Sequence, residues 1–270
     1  MPSTKTHTYQ DQTIAYWDIG SGPVLFMVHG FCEQKSMFTP FLSLADSYRL
    51  IIPDLPGFGA SDRIEGKGSM NLYAEAIQSL IHALKLSKIH YIGHSMGAYA
   101  GLEVLSQMPE YFESFCLFHS HPYADTDAIR DKRMKSIEFL KKHGTAAFFK
   151  PFFANLFPEA NRANHSTKIS ALAEEAKAIS AEAVIFAQEA MAGRKDHCKT
   201  LEEFEGITQY IVGKLDEIAP SDLGLLQSLL GKIGMFHYLK DCGHMGQWEK
   251  PDTVLHHFLE LQDFFTTLNK

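Results

Sequence analysis

The sequence is poor in cysteine: 270 residues carry only Cys32, Cys116, Cys198 and Cys242, and no two of them form a Cys-x-x-Cys pair. Four scattered thiols are too few for a disulfide framework, so a reducing compartment is expected. Cys32 and Cys242 are expected to be buried free thiols. Long apolar runs are also missing. None approaches the ~20 residues a membrane span needs, and Met1-Pro2-Ser3-Thr4-Lys5-Thr6-His7 lacks the apolar core of a signal peptide. The expected location is therefore the cytoplasm, with no membrane partner. There is no basic excess either. Lys and Arg number 25 against 32 Asp and Glu, a net charge of −7 without a long block of either sign. A nucleic-acid surface would be basic, so that class of partner is excluded. No internal repeat or low-complexity segment interrupts the chain.

What is present suits a globular protein. Hydrophobic residues make up 45% and charged residues 21%, enough for a large core without staples. His7–Tyr9 and Ile14–Asp18 read as a hairpin, with Asp11-Gln12 at the turn. Val24–Val28 is a continuous apolar run, the pattern of a strand buried on both faces. A helix is expected over about Met37–Asp46 and a strand over Tyr48–Pro53. Apolar residues at Leu72, Ala76, Ile77, Leu80, Ile81 and Leu84 mark one helix face, with Ser69 as its N-cap. Strands follow at Ile89–Ile92 and Phe115–Phe118. This alternation indicates an α/β fold with a mostly parallel sheet behind an antiparallel N-terminal hairpin.

After Ser120 the alternation stops. Helical stretches around 129–142 and 169–191 flank the aromatic run Phe148-Phe149-Lys150-Pro151-Phe152-Phe153, and no strong strand intervenes. Strand and helix resume at Ile207–Val212, Ser221–Leu230 and Gly234–Leu239. Val254, Phe258, Leu261, Phe265 and Leu268 stripe a last helix. The expected division is a core of 1–121 and 206–270 and a helical insertion of 122–205.

Gly93-His94-Ser95-Met96-Gly97 lies between the Ile89–Ile92 strand and a helix beginning at Ala98. A chain that reverses sharply at a serine needs small residues two before and two after it, and Gly93 and Gly97 stand there. Such a turn lifts Ser95 above the carboxyl edge of the sheet and leaves the Met96 amide at a helix N-terminus. A serine needs a base, and the base an orienting acid. His244, in Asp241-Cys242-Gly243-His244 after the last strand, is the candidate base. Asp216, in Gly213-Lys214-Leu215-Asp216, is the candidate acid, with Asp125 and Asp127 next in order and Asp241 too near His244 in sequence. An oxyanion site needs two amides: Met96, and Phe31 in the His29-Gly30-Phe31 loop, where His29 is expected to pin the loop by hydrogen bonds. Glu33 reads as a charged loop tip in solvent. The Phe148–Phe157 aromatics read as core of the insertion. His119 and His121 alternate along an extended segment and so point apart, which argues against a metal site.

Those pieces, with Asp54-Leu55-Pro56-Gly57-Phe58-Gly59-Ala60-Ser61, run collinear with one family over nearly the whole chain. The protein resembles the α/β-hydrolase-fold superfamily, in the lidded group of esterases, lactonases, haloperoxidase-like enzymes and carbon–carbon bond hydrolases. The resemblance implies that the helical insertion caps the active site and that Ser95 sits in a strained turn. Relatives with epoxide hydrolase or haloalkane dehalogenase activity carry aspartate where Ser95 stands, which argues against both. The expected activity is hydrolysis of an ester, thioester or lactone of a small, fairly apolar acid through Ser95, His244 and Asp216, without metal or organic cofactor. A carbon–carbon bond hydrolase or cofactor-free oxygenase on the same triad, and a ligand receptor with little turnover, are the alternatives. Sequence leaves the substrate-binding residues and the oligomeric state open.

Overall fold

The chain opens with an antiparallel hairpin, β1 (Lys5–Tyr9) and β2 (Gln12–Ile19). Its turn is Gln10-Asp11, one residue earlier than expected, with both residues at positive φ (48° and 63°), the twist a two-residue hairpin turn requires. The computed structural model describes residues 1–268, with the side chains at 262, 263 and 265–268 outside the description. Six more strands follow: β3 (Val24–Val28), β4 (Arg49–Pro53), β5 (Ile89–His94), β6 (Phe112–Phe118), β7 (Ile207–Gly213) and β8 (Ile233–Leu239). All eight form one sheet in the order β1-β2-β4-β3-β5-β6-β7-β8. Only the β1–β2 and β2–β4 pairings are antiparallel.

The uninterrupted apolar strands serve two cores. Along β3, Phe26 and Val28 enter one cluster while Leu25 and Met27 enter another; along β6, Phe115 and Leu117 separate in the same way from Cys116 and Phe118. Successive side chains point to opposite faces, so a strand covered on both sides must be apolar throughout. On one face packs α1 (Met70–Ala83), whose N-cap Ser69 accepts from the Asn71 amide, together with α2 (Met96–Gln107). In α1, Ala76, Ile77, Leu80 and Ile81 are buried as expected.

The expected helix over 37–46 is instead a 3₁₀ run, Lys35–Asp46, with Pro40 inside it. Proline has no amide hydrogen and crowds the preceding turn, which removes a bond from the α ladder and disfavours it there. Between β6 and β7 the described chain is helical: α3 (Asp127–His143), α4 (Ala146–Asn155), α5 (Ser166–Glu175), α6 (Ala181–Ala192) and α7 (Cys198–Glu203). The expected single helix over 169–191 is broken in two, because Ile179 is extended and Ser180 caps α6 by accepting from the Ala183 amide. The chain closes with α8 (Ser221–Gln227), α9 (Gly246–Glu249) and α10 (Pro251–Leu268). Val254, Phe258 and Leu261 of α10 are buried; Phe265 and Leu268, expected on the same stripe, lie outside the described side chains. Among the described residues no helix is long and apolar enough to cross a membrane.

Candidate active site

The carboxyl ends of β3, β5, β6, β7 and β8 lead into His29-Gly30-Phe31, Ser95, His119, Asp216 and His244 respectively. In a parallel sheet these ends form one edge, where open α/β sheets bind ligands.

Ser95 joins β5 to α2 with φ 49° and ψ −117°, a conformation that costs an L-residue on the order of 1–3 kcal/mol. Three bonds hold it there. Its amide donates to Phe118 O at 2.9 Å, and its carbonyl accepts from the Ala98 amide at 3.0 Å and from Ser120 Oγ at 2.9 Å. The flanking glycines are sterically required. A Cβ on Gly93 would lie 2.4 Å from Ala98 Cα, and one on Gly97 2.3 Å from Val28 O.

Asp216 sits in the turn after β7. Its Oδ1 accepts from the Ile218 and Ala219 amides, both at 2.8 Å, and its Oδ2 lies 2.8 Å from His244 Nδ1. Burial alone would raise the Asp216 carboxyl, but the charge of His244, with the nearby His119, outweighs it and holds the group well below the usual carboxylate range. An ionised Asp216 makes His244 Nδ1 the donor and leaves Nε2 as the acceptor nitrogen. The loop carrying His244 is anchored at both ends of that residue: its amide donates to Leu156 O at 3.0 Å, and its carbonyl accepts from His94 Nε2 at 2.9 Å. Ser95 and His244 line one cavity of about 160 Å³. Among the described residues Ser95 Oγ makes no hydrogen bond, a looseness common before substrate is bound.

The loop after β3 closes over the serine. A Cβ on Gly30 would come within 3.2 Å of Ser95 Cβ. His29 pins this loop as expected, since its Nε2 accepts from the Leu55 amide at 2.9 Å and its Nδ1 therefore donates to Gly30 O at 2.8 Å. Among the described residues the amides of Phe31 and Met96 donate to no protein acceptor. Two unsatisfied amides beside a serine can stabilise a developing oxyanion.

Glu33 departs from expectation. It is only 5% exposed, and its Oε2 accepts from the Gly30 amide at 2.6 Å and from His94 Nδ1 at 2.9 Å. Since His94 Nε2 donates to a carbonyl, both ring nitrogens are donors and the ring is a cation. Burial opposes that charge, but Glu33 raises the His94 pKa, and His94 in turn lowers that of Glu33 against the same burial. A carboxylate three residues beyond a loop glycine can fold back onto its amide. That spacing was the available signal, and polarity alone misread it.

The other candidate acids are engaged elsewhere. Asp125 pairs with Arg133 and Arg194, and the exposed Asp127 pairs with Arg130. Asp241 is exposed. His119 and His121 diverge: His119 Nδ1 lies 3.3 Å from Asp216 Oδ2 without hydrogen-bond alignment, whereas the His121 ring packs against Tyr99 and Tyr123. His119, Asp216 and His244 do bring three donor atoms within 4.8 Å of one another, but Asp216 Oδ2 is already taken by His244. Cys32 and Cys242 are buried in different cores, where burial pushes both thiols up. Phe149, Phe153 and Phe157 are core residues, while Phe152 meets Phe31 edge-on at 5.3 Å and lines the cavity. Arg133 and Arg194, also on the cavity wall, carried no sequence signal, because nothing in a helical stretch says which of its cations turn inward.

A family model described as alpha/beta hydrolase fold matches residues 23–251. The chain is 29% identical over 259 residues to a 2-hydroxy-6-oxononadienedioate/2-hydroxy-6-oxononatrienedioate hydrolase of Escherichia coli O139:H28, covering 88% of this chain and 87% of that one. An esterase from Thermogutta terrifontis, solved with malate bound, superposes with a TM-score of 0.90 at 25% identity, over 98% of this chain and 99% of that one. The enol-lactonase of Burkholderia xenovorans LB400 shares the fold, with a TM-score of 0.88 at 16% identity over 96% and 100% of the two chains.

Proposed function

The chain belongs to the α/β-hydrolase fold family and is a hydrolase of it; on that premise we propose that it cleaves a carboxylic ester, thioester or lactone through Ser95, His244 and Asp216. The observation that carries this reading is the ionised Asp216 bonded at 2.8 Å to the His244 ring, with that ring and the strained Ser95 on one cavity. His244 Nε2 takes the Ser95 proton as Oγ attacks the carbonyl carbon. The amides of Phe31 and Met96 hold the oxyanion, and the positive His244 is stabilised by Asp216. Collapse expels the alcohol or thiol, which takes the proton from His244, and leaves an acyl group on Ser95. Water, deprotonated by His244, then releases the acid. No step calls for a metal or an organic cofactor.

The helical stretch 122–205 is the lid in this reading, since Arg133, Phe152, Leu156 and Arg194 from it line the cavity. Four free thiols support a reducing, cytoplasmic setting. A second reading is carbon–carbon bond hydrolysis on the same residues, favoured by the similarity to the oxononadienedioate hydrolase.

A fluorophosphonate probe on wild type and Ser95→Ala, read by intact mass, tests the nucleophile. One adduct on wild type and none on the variant is the expected result; a folded wild type that takes no adduct overturns the proposal. Turnover of 4-nitrophenyl esters against a 2-hydroxy-6-oxo-dienoate then separates the two readings.

A further inference from the structure

The cavity that holds Ser95 and His244 is not uniformly apolar. Phe31, Phe152, Leu156 and Ile218 contribute apolar wall, but Arg133 and Arg194 belong to the same lining. The Arg194 side chain is 4% exposed and that of Arg133 18%. One carboxylate serves both. Arg133 Nε donates to Asp125 Oδ2 at 2.6 Å, and Arg194 Nη1 donates to Asp125 Oδ1. Among the described residues neither guanidinium pairs with a second acid.

Two guanidinium groups share one carboxylate, which leaves one positive unit without an ion-pair partner of its own. Among the described residues no other titratable group pairs with it. His121, on the same lining, is pushed down to about 4 by burial and then by Arg194, so it is neutral at pH 7. Glu33 is paired with His94, and the Asp216 carboxylate spends its oxygens on His244 and two amides and forms no ion pair with either arginine among the described residues. Leaving a buried charge without a counter-ion is costly. The protein offsets part of this with neutral groups: Arg194 Nε donates to Tyr123 O at 3.0 Å, Nη1 to Met191 O at 3.2 Å, and the guanidinium lies 4.1 Å from the Tyr99 ring centroid. Both N–H groups of Arg194 Nη2 have no acceptor among the described residues. A guanidinium with free N–H groups on a cavity wall is the recognition element for a carboxylate.

We infer that the cavity takes an acyl substrate with a second, anionic end, a half-ester or half-thioester of a dicarboxylic acid, whose free carboxylate is bound by Arg194 and Arg133. This rests on the hydrolase reading above and narrows the expectation of a small, fairly apolar acid to one with a charged far end. Asp125 is then a positioning residue that holds the two guanidinium groups side by side. The reaction itself is unchanged: the acyl–oxygen or acyl–sulfur bond breaks, water supplies the new oxygen, and the dicarboxylate leaves with the alcohol or thiol.

The test compares 4-nitrophenyl monoadipate with 4-nitrophenyl hexanoate, which have the same six-carbon acyl chain with and without the distal charge, after subtraction of spontaneous hydrolysis. Wild type is expected to favour the monoadipate in kcat/KM by about tenfold or more. Arg133→Gln and Arg194→Gln are expected to collapse that ratio chiefly through KM. Adipate is expected to inhibit competitively, and hexanoate much more weakly. Equal use of the two esters, or inhibition by adipate no better than by hexanoate, overturns the inference while leaving the hydrolase reading intact. A wild type that takes no fluorophosphonate adduct and cleaves neither ester fails the hydrolase reading instead. Thermal stabilisation by adipate then decides the inference without turnover: an upward shift in Tm that is lost in Arg133→Gln supports it, and no shift overturns it. Arg133 is the less buried of the two, so its variant keeps the test open if Arg194→Gln does not fold.

Discussion

Glu33 Oε2 lies 2.9 Å from His94 Nδ1, and through that contact three loops are tied together. The same oxygen holds the Gly30 amide in the loop after β3, the His94 ring belongs to β5 next to Ser95, and the other nitrogen of that ring holds the His244 carbonyl. The Gly30 loop, the Ser95 turn and the His244 loop thus share one buried ion pair. Replacing Glu33 with Gln removes the charge but keeps an acceptor. It is expected to destabilise the fold by about 3–5 kcal/mol, the usual result of leaving a buried ion alone, and to lower kcat by about tenfold or more as the Phe31 amide drifts. Urea unfolding of Glu33→Gln, His94→Gln and the double variant checks it: the penalties are expected to be strongly non-additive. Simple additivity would show that the two side chains do not act as a unit.

Asp216→Asn should leave the backbone of its turn intact, since an amide oxygen can still accept from Ile218 and Ala219. It would no longer fix His244 Nδ1 as the donor. A loss of about 10⁴ in kcat is expected with little change in Tm. A fall below tenfold in steady-state assays would point to another acid.

The turn at Ser95 has no room for added carbon. Gly97→Ala would place a methyl 2.3 Å from Val28 O, and Gly93→Ala one 2.4 Å from Ala98 Cα, each against backbone that cannot step aside. Each substitution is expected to cost about 3 kcal/mol or more and to abolish activity. Gly144→Ala is the control for steric space, since a Cβ there meets nothing within 4 Å. Its φ of 69° with ψ of −169° is backbone that glycine alone adopts readily, so its expected cost is about 1–3 kcal/mol of backbone strain and no steric term.

Acid should unfold the protein early. His90, His119, His121 and His237 are held down to about 4, burial being the first cause in each. Unfolded, they would titrate near 6.5, so between about pH 6.5 and 4 the unfolded chain binds more protons and stability falls with pH. The slope is about 1.4 kcal/mol per pH unit for each such histidine. The His94 contribution, with its raised pKa, is fully present below 6.5 and is lost only as pH rises through the folded value; Glu33, with its lowered pKa, contributes above its unfolded value of 4.5. One pair cannot offset four histidines. A urea midpoint clearly lower at pH 5 than at pH 7.5 is expected, and an equal or higher midpoint at pH 5 would contradict the burial of these rings.

The strands and the sharp turn at Ser95 were legible because their causes are local. Val24–Val28 must be apolar throughout to be covered on both faces, Ser69 caps the helix it precedes, and Gly93 and Gly97 flank Ser95 because nothing larger fits. Asp216 and His244 were legible as candidates because each follows a strand that ends on the same sheet edge, and periodicity reveals strand ends. Pro40 lies inside the run that is 3₁₀ where a helix was expected. What tertiary structure alone decided is where charge is buried. Glu33 reads in the sequence as a loop tip in solvent and Asp125 as a second-choice acid, while Arg133 and Arg194 carry no signal there; the deciding pairs meet only when distant segments fold together: Glu33 with His94 across 61 positions, Arg194 with Asp125 across 69. Local propensity reports what a residue does to its own backbone. It carries no information about which distant partner a charge will meet once water is excluded, and in this protein those partners shape the wall of the cavity.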